Sequence, residues 1–142
     1  MRISARCEYA CRALVALSLH WPSKSPLRVG DIAREQDIPM RYLVQILIQL
    51  KRRGLVSSAR GKEGGYNLAI PPHEISLGKV VREMSGPFVT VPDGKMRQGD
   101  KDLFWHIWSD VERAMSAVLD EVTFDDICQK ARGVELSISY QI

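Results

Sequence analysis

The chain has 142 residues, 45% hydrophobic and 26% charged, with a net charge of +3, which suits one compact domain that buries a core without covalent staples. No apolar run approaches the roughly 20 residues of a membrane span, and Arg6, Glu8 and Arg12 interrupt the apolar N-terminus where a secretion signal would need continuity; a cytoplasmic location without membrane contact is expected. Three cysteines, Cys7, Cys11 and Cys128, are an odd count that argues against a disulfide framework.

Ser4 is placed to cap a first helix running to about His20, with Tyr9, Ala10, Ala13, Leu14, Ala16 and Leu17 on its buried face. A short second helix from about Val29 to Gln36 breaks at Asp37, Ile38 and Pro39, and Asp37 tolerates a left-handed turn position. In the third helix Leu43, Ile46, Leu47 and Leu50 recur at three- and four-residue steps, leaving Met40, Arg41, Val44, Gln45 and Gln49 on other faces. Lys51, Arg52 and Arg53 precede Gly54, a cationic last turn before a C-terminal glycine.

A hairpin follows, with strand-like runs Leu55 to Ala59 and Tyr66 to Ile70 around a glycine-rich tip that carries Arg60 and Lys62. From Pro39 to Ala69 six cations (Arg41, Lys51, Arg52, Arg53, Arg60, Lys62) oppose one acid, Glu63. Concentrated positive charge of this kind is the footprint of a nucleic-acid binder. Two short helices, a tight turn and a hairpin describe a winged helix-turn-helix, so the expected fold is mainly α with a small β-wing.

Ser76 caps a further helix to about Ser85, ended by Gly86 and Pro87. Residues 87–100 lack periodicity and read as a flexible loop. From Lys101 to Glu121, Phe104, Trp108, Val111, Met115 and Val118 form a stripe that Trp105 widens, more apolar surface than a peripheral helix needs, which predicts pairing between two subunits. Thr123 with Asp126 resembles a capping box for a last helix to about Ala131. The tail Val134 to Ile142 alternates Val134, Leu136, Ile138 and Tyr140, as a strand or ordered arm would. The expected organisation is a DNA-binding domain over 1–86, the loop over 87–100, and a dimerisation helix with its arm over 101–142.

An enzyme built on the Arg60 to Gly65 tip is rejected: a P-loop needs Gly-Lys followed by Ser or Thr and a helix, whereas Lys62 precedes Glu63 and a strand pattern. A pure protein-interaction module remains the rival from another class, although it makes the basic patch incidental.

The segments MRISARCEYACRALVAL, DIAREQDIPMRYLVQIL and LVSSARGKEGGYNLA, with ISLGKVVREMSGP beyond them, resemble the Rrf-two family of bacterial winged-helix transcriptional regulators across nearly the whole chain. The resemblance implies a homodimeric regulator of double-stranded DNA, more in the manner of a repressor, with Tyr42 and Gln45 at recognition-helix positions and Arg60 at the wing arginine. Arg41, Gln49, Lys51, Arg52 and Lys62 complete the expected DNA-contacting set. Side-chain chemistry agrees: Gln45 suits adenine, Arg41 guanine, Tyr42 a phosphate, and Arg60 a narrow minor groove.

Two departures from the family pattern stand out. Pro39 and Arg41 replace serines common at the start of the recognition helix. Cluster-binding members carry three cysteines in the loop before the long helix, whereas residues 87–104 contain none, so no iron-sulfur cofactor is expected and the cysteine-metabolism branch, in which a partner protein takes part in regulation, is the nearer match. An alternative reading makes Cys7, Glu8 and Cys11 a redox or metal sensor, since the cysteines are four apart on one helix face beside a carboxylate; small core residues are the plainer explanation.

Overall fold

The structure, a computed structural model, describes residues 2–90 and 98–141. Helix α1 (Ala5–His20) starts where the Ser4 hydroxyl accepts a hydrogen bond from the Cys7 amide at 3.1 Å, and it buries Ala10, Ala13, Leu14, Ala16 and Leu17. Helix α2 (Val29–Gln36) ends at Asp37, whose φ of 52° lies in the left-handed region, while the Ile38 amide reaches back to the Ala33 carbonyl at 2.9 Å. Chain reversal there starts α3 (Met40–Arg52) with Pro39 at its N-cap and no side-chain cap, as expected from the missing serine.

Leu43, Ile46, Leu47 and Leu50 of α3 are almost wholly removed from solvent, in one core with Leu14, Leu17, Ile32, Leu55, Ile75, Val80 and Phe124. Full burial of each large aliphatic side chain is worth about 1.5–3 kcal/mol, so this stripe fixes the rotation of α3 about its axis. Strands β1 (Val56–Ala59) and β2 (Gly65–Leu68) pair antiparallel with Val56 opposite Leu68 and Ala59 opposite Gly65. The fold is thus the expected one, mainly helical with a two-stranded wing.

Beyond the wing, α4 (Leu77–Ser85) is capped by Ser76, which accepts from the Lys79 amide at 3.1 Å. The last two helices are α5 (Gln98–Glu121) and α6 (Phe124–Gln141). Thr123 and Asp126 exchange hydrogen bonds of 3.1 and 2.9 Å, the capping box read from the sequence. Phe124 behind it is fully buried.

Two boundaries differ from the sequence reading. Helix α5 begins at Gln98, within the expected loop, and residues 91–97 of that loop lie outside the described residues. The tail is not a strand: α6 continues through it to Gln141, and Ile142 lies outside the described residues. Alternation of Val134, Leu136, Ile138 and Tyr140 misled because a strand also needs a partner for its backbone groups, and the described sheet has only β1 and β2. A helix supplies those partners internally.

The wing is laced to the segment before α2 through its own backbone. Leu27 and Tyr66 exchange amide-to-carbonyl hydrogen bonds of 2.9 and 2.8 Å, and a Cβ on Gly65 would stand 2.1 Å from the Leu27 carbonyl oxygen. Gly65→Ala is therefore expected to lower stability by roughly 1–3 kcal/mol, read as a shift in the denaturant midpoint; an unchanged midpoint would show that this contact does not hold the wing.

Candidate nucleic-acid interface

With its apolar stripe buried, α3 presents Arg41, Tyr42, Val44 and Gln45 outward. Tyr42 is 49% exposed yet contacted by two neighbours. Its ring lies 6.4 Å from that of Tyr9 on α1, tilted by 31°, and the Arg41 guanidinium sits over it at 4.9 Å from the ring centroid while Nη2 donates to the Tyr42 hydroxyl at 3.1 Å. Stacking of a cation on an aromatic ring contributes about 0.5–1 kcal/mol at an exposed site. It holds a forked hydrogen-bond donor at the surface with most of its N–H groups still free for a partner.

Between α1 and α3 lies an open groove of about 400 Å³ lined by Ala5, Arg6, Tyr9, Tyr42, Gln45 and Ile46. Arg6 is a residue that sequence reasoning passed over. Nothing in the spacing of α1 links it to Gln45; only the crossing of α1 over α3 brings a further exposed cation beside the reading face.

At the other end of α3 the expected contacts separate. Lys51 extends its ammonium to the Ser58 hydroxyl at 2.6 Å, bridging the helix end to the first wing strand, and Arg52 remains exposed. Gln49 does not join the outward set. It is half-buried and its amide donates to the Glu83 carbonyl at 3.3 Å, next to an Arg53–Glu83 ion pair at 3.0 Å, so both side chains fasten α3 to the end of α4. Period alone had left Gln49 off the aliphatic stripe; contact with α4 explains its use.

Arg60 and Lys62 are exposed at the wing tip. The Lys62 carbonyl accepts from Arg28 at the N-cap of α2 at 2.8 Å, which ties the tip to the helix-turn-helix while leaving the Lys62 ammonium outward.

On α5, Phe104, Trp105, Trp108, Val111 and Val118 are exposed, Trp105 at 56% and Val118 at 66%, whereas Met115 is half-buried against α4. Exposed apolar surface of this extent on one helix marks an interaction face. Arg82 grips Asp120 through two hydrogen bonds of 2.7 and 3.2 Å, and Glu112 accepts from the Phe88 and Val89 amides at 3.3 and 2.6 Å. These contacts fix α5 to α4 and to the segment just after it.

Among the sensor candidates, Cys7 is fully buried and Cys11 half-buried, while Glu8 is exposed and paired to Arg12 at 3.1 Å. A hydrogen bond from Cys11 lowers the Cys7 thiol to about 7 against the opposing effect of burial, and the same contact with burial pushes Cys11 up. Cys128 is buried, its thiol directed at the Val15 carbonyl at 3.9 Å and its ionisation disfavoured by burial. It is a core residue.

The sequence pattern of Rrf2, a family described as iron-dependent transcriptional regulator, matches residues 3–130. This chain belongs to the Rrf2 family. Rv1287 of Mycobacterium tuberculosis (strain H37Rv) is 39% identical over 131 residues, covering 89% of this chain and 81% of that protein. The HTH-type transcriptional regulator IscR of Aliivibrio salmonicida is 31% identical, covering 89% of this chain and 77% of its own. Among solved structures, that of CymR, the global cysteine regulator of Bacillus subtilis, superposes with a TM-score of 0.75 at 28% identity, over 92% of this chain and 98% of that one.

As an Rrf2 protein the chain is a DNA-binding transcriptional regulator, and its relatives are named as regulators rather than enzymes. The residues present do not fit the cluster site of cluster-binding relatives. Residues 87–104 hold no cysteine, and among the described residues no three His, Cys, Asp or Glu side chains converge, whereas such clusters are held by several thiolates. Among the described residues no helix is long and apolar enough to cross a membrane.

Because Cys7 ionises at about 7 in the folded protein and near 9.0 when unperturbed, its thiolate favours the fold above the unfolded value, and that contribution is lost as pH falls through the folded one. Thiolate ultraviolet absorbance of the native protein is expected to rise in a step centred at about 7 and to return to the ordinary thiol range in Cys11→Ser. A step that ignores Cys11 would contradict the assignment.

Proposed function

We propose that the chain acts as a cytoplasmic homodimeric repressor that reads a specific duplex sequence, with α3 in the major groove and the wing in the minor groove or on the adjoining backbone. The observation that carries this is the shared exposure of Arg41, Tyr42 and Gln45 on α3 with Arg60 and Lys62 on a wing laced to the same head. Arg41 and Gln45 supply base-edge contacts; Tyr42, Lys51, Arg52, Arg6 and Lys62 supply phosphate contacts; Arg60 enters or flanks the minor groove. Gln49 is left out of this set because its amide is engaged with α4.

Residues 1–86 form the reading head in this proposal, and 101–142 carry the dimer contact. Exposure of Phe104, Trp105, Trp108, Val111 and Val118 supports a second copy as their cover, and two-fold pairing would present two reading heads to half-sites one helical turn apart or a multiple of it. The regulator works without the iron-sulfur cluster of its cluster-binding relatives, and its signal arrives through a partner protein or through Cys7 and Cys11.

Arg60→Ala is expected to weaken duplex binding and reduce the slope of log affinity against log salt by about 1, measured by fluorescence anisotropy; an unaltered slope would remove the wing from the interface. Arg41→Ala should cost about 1–3 kcal/mol at the preferred operator and less on unrelated duplex. Trp108→Glu should convert the dimer to monomer in sedimentation, and a dimer that survives it would place the interface elsewhere.

A further inference from the structure

The groove between α1 and α3 is more than a gap beside the reading face. Of its lining residues Ile46 is almost wholly buried and Tyr9 half-buried, with Ala5, Arg6, Tyr42 and Gln45 exposed around them. Its interior is therefore carbon-rich and its polar groups lie toward solvent. Among the described residues neither the Arg6 guanidinium nor the Gln45 amide makes a hydrogen bond or ion pair, in contrast to Gln49, whose amide is engaged by the Glu83 carbonyl.

Size and lining select the body of a ligand. A volume of about 400 Å³ falls within the range of roughly 300–1,000 Å³ typical of small-molecule sites, which combine an apolar lining with a few polar groups. An aromatic ring is flat, buries a large area for its size and packs favourably against other rings. The Tyr9 and Tyr42 rings, 6.4 Å apart and tilted by 31°, are already neighbours, so such a ligand lies beside the pair and not between them.

Charge selects its head group. The Arg6 guanidinium offers paired N–H donors that match a carboxylate, and the Gln45 amide adds another. Ala5 and Arg6 open α1, so the positive end of the helix dipole reinforces the same end of the groove. Glu8, the acid in that turn, is neutralised by Arg12 at 3.1 Å. One guanidinium balances one negative charge, which favours a monocarboxylate over a phosphate dianion.

We propose that this groove binds an aromatic monocarboxylate, with its ring against Ala5, Tyr9, Tyr42 and Ile46 and its carboxylate on Arg6 and Gln45. Arg6, Tyr42 and Gln45 are also the side chains assigned to duplex, so the ligand and DNA compete for them and occupancy of the groove releases the operator. The antagonism rests on the DNA-reading proposal; the binding site does not.

The probe is 2-naphthoate, titrated into the full chain without DNA and followed by calorimetry and amide chemical shifts. Saturable binding of one molecule per chain is expected, with a dissociation constant of about 1 mM or tighter and the largest shifts around Ala5, Arg6, Tyr42 and Gln45. 2-Naphthalenemethanol, which keeps the rings without the charge, and inorganic phosphate, which keeps charge without rings, should each bind about fivefold more weakly or less. Arg6→Gln should weaken naphthoate binding about fivefold, and Ala5→Phe should abolish it by filling the groove. Both positions are exposed, circular dichroism checks folding, and either folded variant is decisive. Absence of saturable binding, shifts confined to other surfaces, equal binding of the alcohol or of phosphate, or wild-type affinity in a folded variant would overturn the site. Fluorescence anisotropy then reads duplex affinity, which saturating naphthoate should lower about fivefold or more; an unchanged affinity would overturn the antagonism. A chain that binds naphthoate but no duplex would refute the DNA-reading proposal, and the antagonism with it, while the ligand site stands.

Discussion

Burial of one aliphatic stripe on α3 governs the rest of the molecule. Leu43, Ile46, Leu47 and Leu50 are sealed against α1, α2 and the first residues of the wing, and a helix whose rotation is fixed on one side has its other side fixed as well. The outward direction of Arg41, Tyr42 and Gln45 is thus a consequence of hydrophobic packing. Any change that lets α3 roll would scatter the donors before it unfolded the domain, since one residue step turns a helix by roughly 100°.

Other contacts make that face usable. Tyr42, itself 6.4 Å from the Tyr9 ring, steadies the Arg41 guanidinium, limiting the side-chain entropy that a base contact would otherwise lose. The Leu27–Tyr66 backbone pair and the Arg28–Lys62 bond hold the wing tip at a set distance from α3. On the far side, Gln49 and Arg53 reach Glu83 of α4, and Arg82 of α4 reaches Asp120 of α5. A continuous set of contacts therefore runs from the reading helix to the apolar helix, so a change at either end has a physical route to the other.

Much of this was legible in the sequence because it is encoded locally. Ser4, Asp37, Gly54, Ser76 and the Thr123–Asp126 pair mark helix ends by their own hydrogen bonds or backbone angles, and the three- and four-residue recurrence of leucine and isoleucine marks the buried face. Features that depend on distant partners were not legible. Arg6 lines the groove beside Gln45 only because α1 crosses α3, Gln49 turns away from the outward side chains only because α4 ends beside it, and the tail follows α6 although four of its residues alternate like a strand.

Selection of binding sites from a pool of random duplexes, followed by footprinting on the enriched sequence, probes most directly whether the packed stripe turns α3 toward DNA in a two-fold pair. An inverted repeat should emerge, its half-site centres about 10 base pairs or a multiple of that apart, with protection that disappears when Arg41 and Gln45 are both replaced by Ala. Recovery of no common sequence, or of a single half-site bound as tightly as a repeat, would contradict the orientation of α3 argued from its buried leucines and isoleucine.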